Sequence, residues 1–248
     1  DQSIYVIDVR QSLHMKQMRK VLELMGYDWA EKIYHLAYEI VNLPGNVTMS
    51  SRDGTVVLLD DLIREATDRA LSIVKEKNPD LSAESQHEIA EMVAIGAIKY
   101  PMISRENTKI VTFDWETALD FNGQSAPYIQ YACVRANSIL KRAEVNTQYG
   151  QTPTASFDYE LDAAEVNLIE LIAELPLELS KAAKEYKPSQ IATYAYDLAK
   201  AFNDFYNQCP VLNAEDEIRT ARLALTNAAR ITIQNALHLL GIKAPHVM

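Results

Sequence analysis

The spacing of apolar residues changes character near Asn107. Before that point, short strand-type runs alternate with helical periods. Residues 4–8 ("IYVID") read as a strand, and "LHMKQMRKVLEL" reads as a helix capped by Ser12 and ended by Gly26. Residues 32–41 ("KIYHLAYEIV") form a second β-rich run, so strand, helix and strand predict a βαβ unit with parallel pairing. Next comes "NLPGNVTMSSRDGTVVLLDD", residues 42–61, where Pro44, Gly45, Asn46 and Gly54 favour turns ahead of a β-rich run. Residues 59–77 predict a helix capped by Asp60 or Asp61 and laced with opposite charges at helical spacing. Residues 81–103 predict another, preceded by Pro79 and ended by Pro101.

Beyond Asn107, "KIVTFDWETAL" supplies a last extended segment and a turn, and everything after Gly123 has helical period. One helix spans about 126–145, the polar "NTQYGQTPTASFDYE" is a linker or loop, and three more helices cover 162–176, 188–209 and 216–241. In the last of these Ile218, Leu225, Ala229, Ile233, Ala236 and Leu240 share one face, and Gly241 suits the position after the helix end. The predicted organisation is α/β over residues 1–107, followed by an all-helical bundle over 108–248.

Composition bounds what such a chain does. At 248 residues it holds one large or two modest domains, and no uncharged apolar run approaches the ~18 residues of a membrane span. With no secretory apolar region either, the expectation is a soluble cytoplasmic protein. Cys133 and Cys209 lie far apart without metal-ligand spacing, and the five histidines are scattered, so reduced thiols and no metal centre are expected. A net charge of −10 argues against non-specific nucleic-acid binding, so any RNA partner needs a local basic surface.

Three places carry candidate chemistry. In the loop after residue 48, Met49, Ser50, Ser51 and Arg52 offer two hydroxyls, one cation and backbone amides, groups that can hold a phosphate; a plain solvent hairpin is the competing reading. Gln11 and His14 fall where a strand ends and a helix begins, which is where open α/β sheets place ligands. In the helical half, Arg135, Lys141 and Arg142 accompany Tyr128 and Tyr131, the mixture that stacks unpaired bases and holds their phosphates. Arg219, Arg222 and Arg230 fall within roughly 80° of arc on the last helix, bordering its apolar face. Most of the aromatic residues in "YAYDLAKAFNDFY" are expected in the core.

Several ordered segments resemble the class I arginyl-tRNA synthetases: "YVIDVRQSLHMKQ", "VTMSSRDGTVVLLDDLI", "VAIGAIKY", "TFDWETAL", "SAPYIQYACVRANSIL" and the ending "RLALTNAARITIQNALHLLGIKAPHVM". The resemblance implies the second half of a Rossmann-like catalytic domain joined to a DALR-type anticodon-binding bundle. It implies that Met49, Ser50, Ser51 and Arg52 match the mobile KMSKS loop that closes over ATP, with Thr48 where the first lysine is usual and Arg52 as the nearby cation. It places Gln11 in the arginine pocket and His14 near the nucleotide, and it places Tyr131, Tyr206 and Met248 near the anticodon loop, where Arg135 and Arg222 supply charge. The ending "PHVM" departs from the acidic-basic-Met tripeptide of many relatives. ATP with Mg2+, arginine and tRNA(Arg) are the implied partners, with no prosthetic group, no membrane contact and a monomeric state. Cysteinyl-tRNA synthetases share the bundle type, but their zinc ligands are not seen here. A non-catalytic tRNA-binding or protein-interaction module of synthetase origin is the competing reading.

The family's HIGH motif is not found in the chain, which opens Asp-Gln-Ser directly before a strand, so the expectation is the carboxy-terminal part of a longer enzyme. Half of a nucleotide site cannot preorganise the reacting groups. The purified 248-residue chain is therefore expected not to charge tRNA(Arg), and a charging assay that detects arginylation overturns this.

Overall fold

The computed structural model describes residues 2–43, 47–48, 57–145 and 155–248. It divides into two compact units, residues 1–56 with 105–114 and residues 57–104 with 115–248.

In the first unit β1 (Ser3–Asp8) pairs in parallel with β2 (Ile33–Tyr38), in register from Ser3↔Ile33 to Asp8↔Tyr38. Helix α1 (Ser12–Leu24) joins them, which makes the expected βαβ unit. Ser12 is not its cap. Gln11 holds the N-cap position without a side-chain bond, and the Ser12 hydroxyl donates back to the Val9 carbonyl of a 3₁₀ turn (Val9–Gln11). Gly26, at φ +85°, follows the helix end as expected.

The second β-rich run is not one strand. β2 stops at Tyr38, and Val41–Leu43 forms β3 in a separate sheet of order β4-β3-β5. β3 pairs antiparallel with β4 (Val47–Thr48) and parallel with β5 (Val111–Thr112). The break has a hydrogen-bonding cause: the Glu39 amide donates to the Asn107 carbonyl and leaves the β1–β2 ladder. The candidate residues Met49, Ser50, Ser51 and Arg52, with the turn residues Pro44, Gly45, Asn46 and Gly54, lie outside the described residues.

The second unit opens with α2 (Leu59–Lys77) and α3 (Ala83–Ile103). Asp60 and Asp61 are not caps but sit in the first turn, where they complement the helix dipole. Ala66, Ala70 and Val74 recur at helical spacing and pack against Ile89, Ala90, Val93 and Ala94. Pro101 does not end α3, which continues to Ile103 because the next turn still closes, with the Ser104 amide bonded to the Tyr100 carbonyl.

After the short α4 (Trp115–Ala118) come the bundle helices α5 (Ala126–Arg142), α6 (Ala163–Glu185), α7 (Pro188–Gln208) and α8 (Asp216–Leu239). Ile129, Leu140, Leu168, Leu198, Phe202, Phe205, Ile233 and Leu237 fill their shared core. Pro176 does not terminate α6; the stop is Tyr186, at φ +55°, just before Pro188 opens α7. At the far end of α8, Gly241 adopts φ +66° while the Ile242 amide bonds the Leu237 carbonyl, the expected end motif. α3 approaches α5 closely at Gly96, where an added Cβ would stand 3.0 Å from that of Ala126. Both thiols are buried, and burial pushes Cys133 up to about 12 and Cys209 up to about 11. Among the described residues no helix is long and apolar enough to cross a membrane, and no three His, Cys, Asp or Glu side chains group as a metal site would need.

Among the described residues the bundle buries one carboxylate, that of Glu165, with no solvent exposure. Its oxygens accept from the Tyr159 hydroxyl (2.7 Å), the Asp162 amide (2.9 Å), Arg222 Nε (2.8 Å) and Arg222 Nη2 (3.3 Å). Asp162 caps the helix in return, completing a capping box. Burial raises the carboxyl's affinity for protons, but Arg222, Tyr159 and the Asp162 amide together hold its pKa below the usual value of 4.5. A carboxylate with a depressed native pKa stabilises the fold above its unfolded pKa, and that contribution is lost as pH falls through the native one. Stability, read as a urea midpoint, is thus expected to decline as pH drops from 4.5 through the depressed value. Glu165→Gln is expected to cost about 3 kcal/mol at neutral pH and to flatten that acid limb.

Candidate functional site

Two groups of candidate residues are built by different elements. At the carboxyl end of β1, Gln11 closes the 3₁₀ turn and His14 lies in the first turn of α1, both exposed. Beside them stands a pair that residue pattern alone did not single out. The Asp8 carboxylate accepts from the Arg10 amide (2.8 Å), Nε (2.9 Å) and Nη2 (2.8 Å). These bonds pull the Asp8 pKa down to about 2. A two-residue separation across a strand end is the signal, since an aspartate that caps the turn after the strand reaches the amide two residues on and meets that residue's side chain. β4 ends at Thr48, immediately before the candidate loop residues.

The second group is assembled by α5 and α7. Ser125 caps α5 by accepting from the Tyr128 amide, with Pro127 in the first turn. Tyr131 and Arg135 then share one face, four residues apart. The Arg135 guanidinium carbon lies 5.0 Å from the Tyr131 ring centroid and 4.7 Å from that of Tyr206, near the end of α7. Its Nη1 donates to Asn203 Oδ1 at 2.5 Å. Phe202 and Phe205 are fully buried in the same helix, whereas Tyr206 is 42% exposed. Tyr131, Arg135 and Tyr206 therefore form one aromatic–cation–aromatic stack.

An open depression of about 330 Å3 adjoins the stack, lined by Ile139, Arg142, Tyr206, Asn207 and residues 210–213. It combines an exposed aromatic ring, a cation, and the paired donor and acceptor groups of Asn207 and Asn213. Those three functions are what an unpaired nucleotide requires. Asn207, in the last turn of α7, and Asn213, beyond its end, carried no sequence signal of their own.

Arg222 and Met248 are not part of this group. Arg222 faces inward, with its side chain 13% exposed, its Nε and Nη2 on Glu165, and its Nη1 donating to the Pro210 carbonyl at 2.9 Å. Arg230 is likewise engaged, with Asn227 Oδ1 and Gln234 Oε1. Arg219 Nε is buried without an acceptor among the described residues. The expected basic stripe on α8 is therefore not a free cationic face: Arg222 crosses to Glu165 of α6, and Arg230 is held by two residues of its own helix. Met248 packs on the α2–α3 cluster instead. The segment leading to it is held by Gln130 Nε2 on the Lys243 carbonyl and Lys99 Nζ on the Gly241 carbonyl, both at 2.6 Å.

Residues 1–115 match the family described as "tRNA synthetases class I (R), catalytic domain", and residues 129–248 match the "DALR anticodon binding domain". The chain is 39% identical over 242 residues to the arginine–tRNA ligase of Clostridium botulinum, an alignment covering 97% of this chain and 41% of the relative. It is 40% identical over 252 residues to that of Clostridioides difficile, covering 100% and 43%. Among solved structures, Thermus thermophilus arginyl-tRNA synthetase superposes with a TM-score of 0.89 at 39% identity, over 100% of this chain and 41% of that one. The chain thus spans about two fifths of the length of the curated relatives it matches. With both halves matched in order and the fold reproduced throughout, the chain belongs to the arginyl-tRNA synthetase family.

Proposed function

We propose that these residues serve an arginine–tRNA ligase, which activates arginine with ATP and transfers it to tRNA(Arg). Residues up to about 107 contribute part of the ATP and arginine site, and residues 108–248 hold the anticodon stem and loop. The family matches, 1–115 to the catalytic domain and 129–248 to the anticodon-binding domain, support this order of parts. The observation that carries the RNA reading is Arg135 clasped between Tyr131 and Tyr206, with Tyr206 still exposed beside a depression of nucleotide size. An unpaired base stacks on the open face of Tyr206, while Arg135 and Arg142 offset phosphate charge.

On the nucleotide side, Gln11 is a neutral donor and acceptor suited to a substrate that is already cationic, and His14 lies toward the nucleotide. Met49, Ser50, Ser51 and Arg52 supply the ATP loop, where hydroxyls, amides and the Arg52 guanidinium hold phosphate oxygens as the adenylate forms and pyrophosphate departs. Arg52 takes over the charge that lysines carry in the usual motif. MgATP enters as substrate, not as a resident cofactor, and the working enzyme is a cytoplasmic monomer.

Two measurements test these roles. Tyr206→Ala is expected to weaken tRNA(Arg) binding by ~1–3 kcal/mol while Tyr206→Phe binds normally; equal affinity for both variants and the parent removes stacking from the account. Arg52→Ala, placed in a full-length ligase carrying this segment, is expected to slow ATP–pyrophosphate exchange by about 10²-fold, and an unchanged rate removes Arg52 from the phosphate site.

A further inference from the structure

We propose that Arg222 and Glu165 are positioning residues for RNA recognition, acting through the Pro210 carbonyl rather than by touching RNA. The inference rests on the reading that the depression beside Tyr206 takes an unpaired nucleotide.

The Glu165 carboxylate is the junction of the assembly. It receives the Tyr159 hydroxyl from the segment preceding α6, the Asp162 amide at the start of α6, and two arms of Arg222 from α8. The third arm of Arg222, Nη1, holds the Pro210 carbonyl at 2.9 Å. Pro210 follows Cys209, the residue that ends α7, and as a proline it has no amide hydrogen to tie its own backbone down. Pro210 and the three residues after it line the depression together with Arg142, Tyr206 and Asn207. Val211 is buried and anchors the segment from below, so the Pro210 carbonyl and the Val211 side chain together set where Leu212 and Asn213 stand.

Arg222 also lacks the geometry of a direct phosphate ligand. Nε, Nη1 and Nη2 each have a protein acceptor, and the side chain is 13% exposed. A planar guanidinium fixed on two sides by one buried carboxylate presents its remaining edge in a single direction. That direction is the pocket wall. Lysine, with a point charge on a flexible stem, cannot hold the carboxylate bidentately and the carbonyl at once.

The test is a titration of the 248-residue chain with a tRNA(Arg) anticodon stem–loop RNA over a series of salt concentrations, alongside thermal melts. Arg222→Gln, Arg222→Lys and Glu165→Gln are each expected to weaken binding about tenfold, equivalent to ~1.4 kcal/mol, with the salt slope unchanged. The Arg222→Gln/Glu165→Gln double variant is expected to bind no more weakly than either single one, because both break the same connection. Gly96→Ala, which crowds the α3–α5 contact, is expected to lower the melting temperature while leaving RNA affinity intact.

A direct phosphate contact by Arg222 predicts instead a salt slope reduced by about 1 and no effect of Glu165→Gln; that pattern overturns the proposal. So does an affinity loss in Gly96→Ala that matches the others at equal loss of stability, since general loosening then explains everything. If Arg222→Gln fails to fold, Arg222→Lys and Glu165→Gln give the same readout. Unaltered affinity in the variants, with normal binding by the parent, sinks only the positioning role. No binding by the parent chain overturns the proposal together with the RNA reading beneath it.

Discussion

The helical unit is organised around the burial of one negative charge. An isolated carboxylate moved into a protein interior loses several kcal/mol of hydration, so Glu165 must be surrounded by donors or be neutral. It is surrounded by four donor contacts from three parts of the chain. This single requirement fixes where α6 starts, through the capping box with Asp162, and how the segment before it approaches, through Tyr159. It also fixes which face of α8 looks inward, because Arg222 has to reach the carboxylate. With Arg222 engaged on Glu165 and Arg230 on residues of its own helix, the candidate aromatic and cationic groups are those of α5 and α7, where Arg142 and Tyr206 are exposed and Tyr131 and Arg135 are half-buried.

The sequence made element type legible where apolar period was strong and left element ends obscure where hydrogen bonding decides them. The α8 face was readable because Ile218, Leu225, Ala229, Ile233, Ala236 and Leu240 repeat at helical spacing; all are buried except Ile218, which is half-buried near the start of the helix. Pro101 and Pro176 misled because a proline removes one donor but does not oblige the next turn to open. The stop of α6 is set by Tyr186 in a left-handed conformation, a choice no tyrosine announces. β3 was hidden for another reason: its parallel partner is β5, and a pairing of Val41 with Val111 leaves no trace in local pattern.

The candidate sites divide along the same line. Tyr131 and Arg135 are four residues apart in a well-formed helix, so their meeting is a local consequence of helical geometry. Tyr206 differs from Phe205, its neighbour, only by a hydroxyl and 100° of helical turn, and period alone could not say which ring faces outward; family resemblance supplied that choice. Arg222 shows the reverse. Its place beside an apolar face was visible, but whether such an arginine snorkels to solvent or crosses to a partner helix depends on Glu165, distant in sequence. For Gln11 and His14 the strand-end position was legible from the βαβ pattern, whereas the loop around Arg52 lies outside the described residues.

On the proposed reading, an acidic protein that offers an aromatic stack to RNA has a particular consequence for selectivity. A net charge of −10 repels the phosphate backbone at long range, so the generic counterion-driven attraction that lets basic proteins bind any nucleic acid is weak here. On the proposed reading, affinity must come from groups that act at contact distance, where a base is unstacked and its face is available. Arg135 suits that role because Tyr131, Tyr206 and Asn203 already hold it in place, which reduces the rotamer entropy lost when a ligand arrives. A double-stranded stem offers no free base face to Tyr206, so the same stack that rewards an open loop gives a duplex little. Discrimination between the two then follows from charge and geometry together, with the acidic background suppressing what the stack does not select.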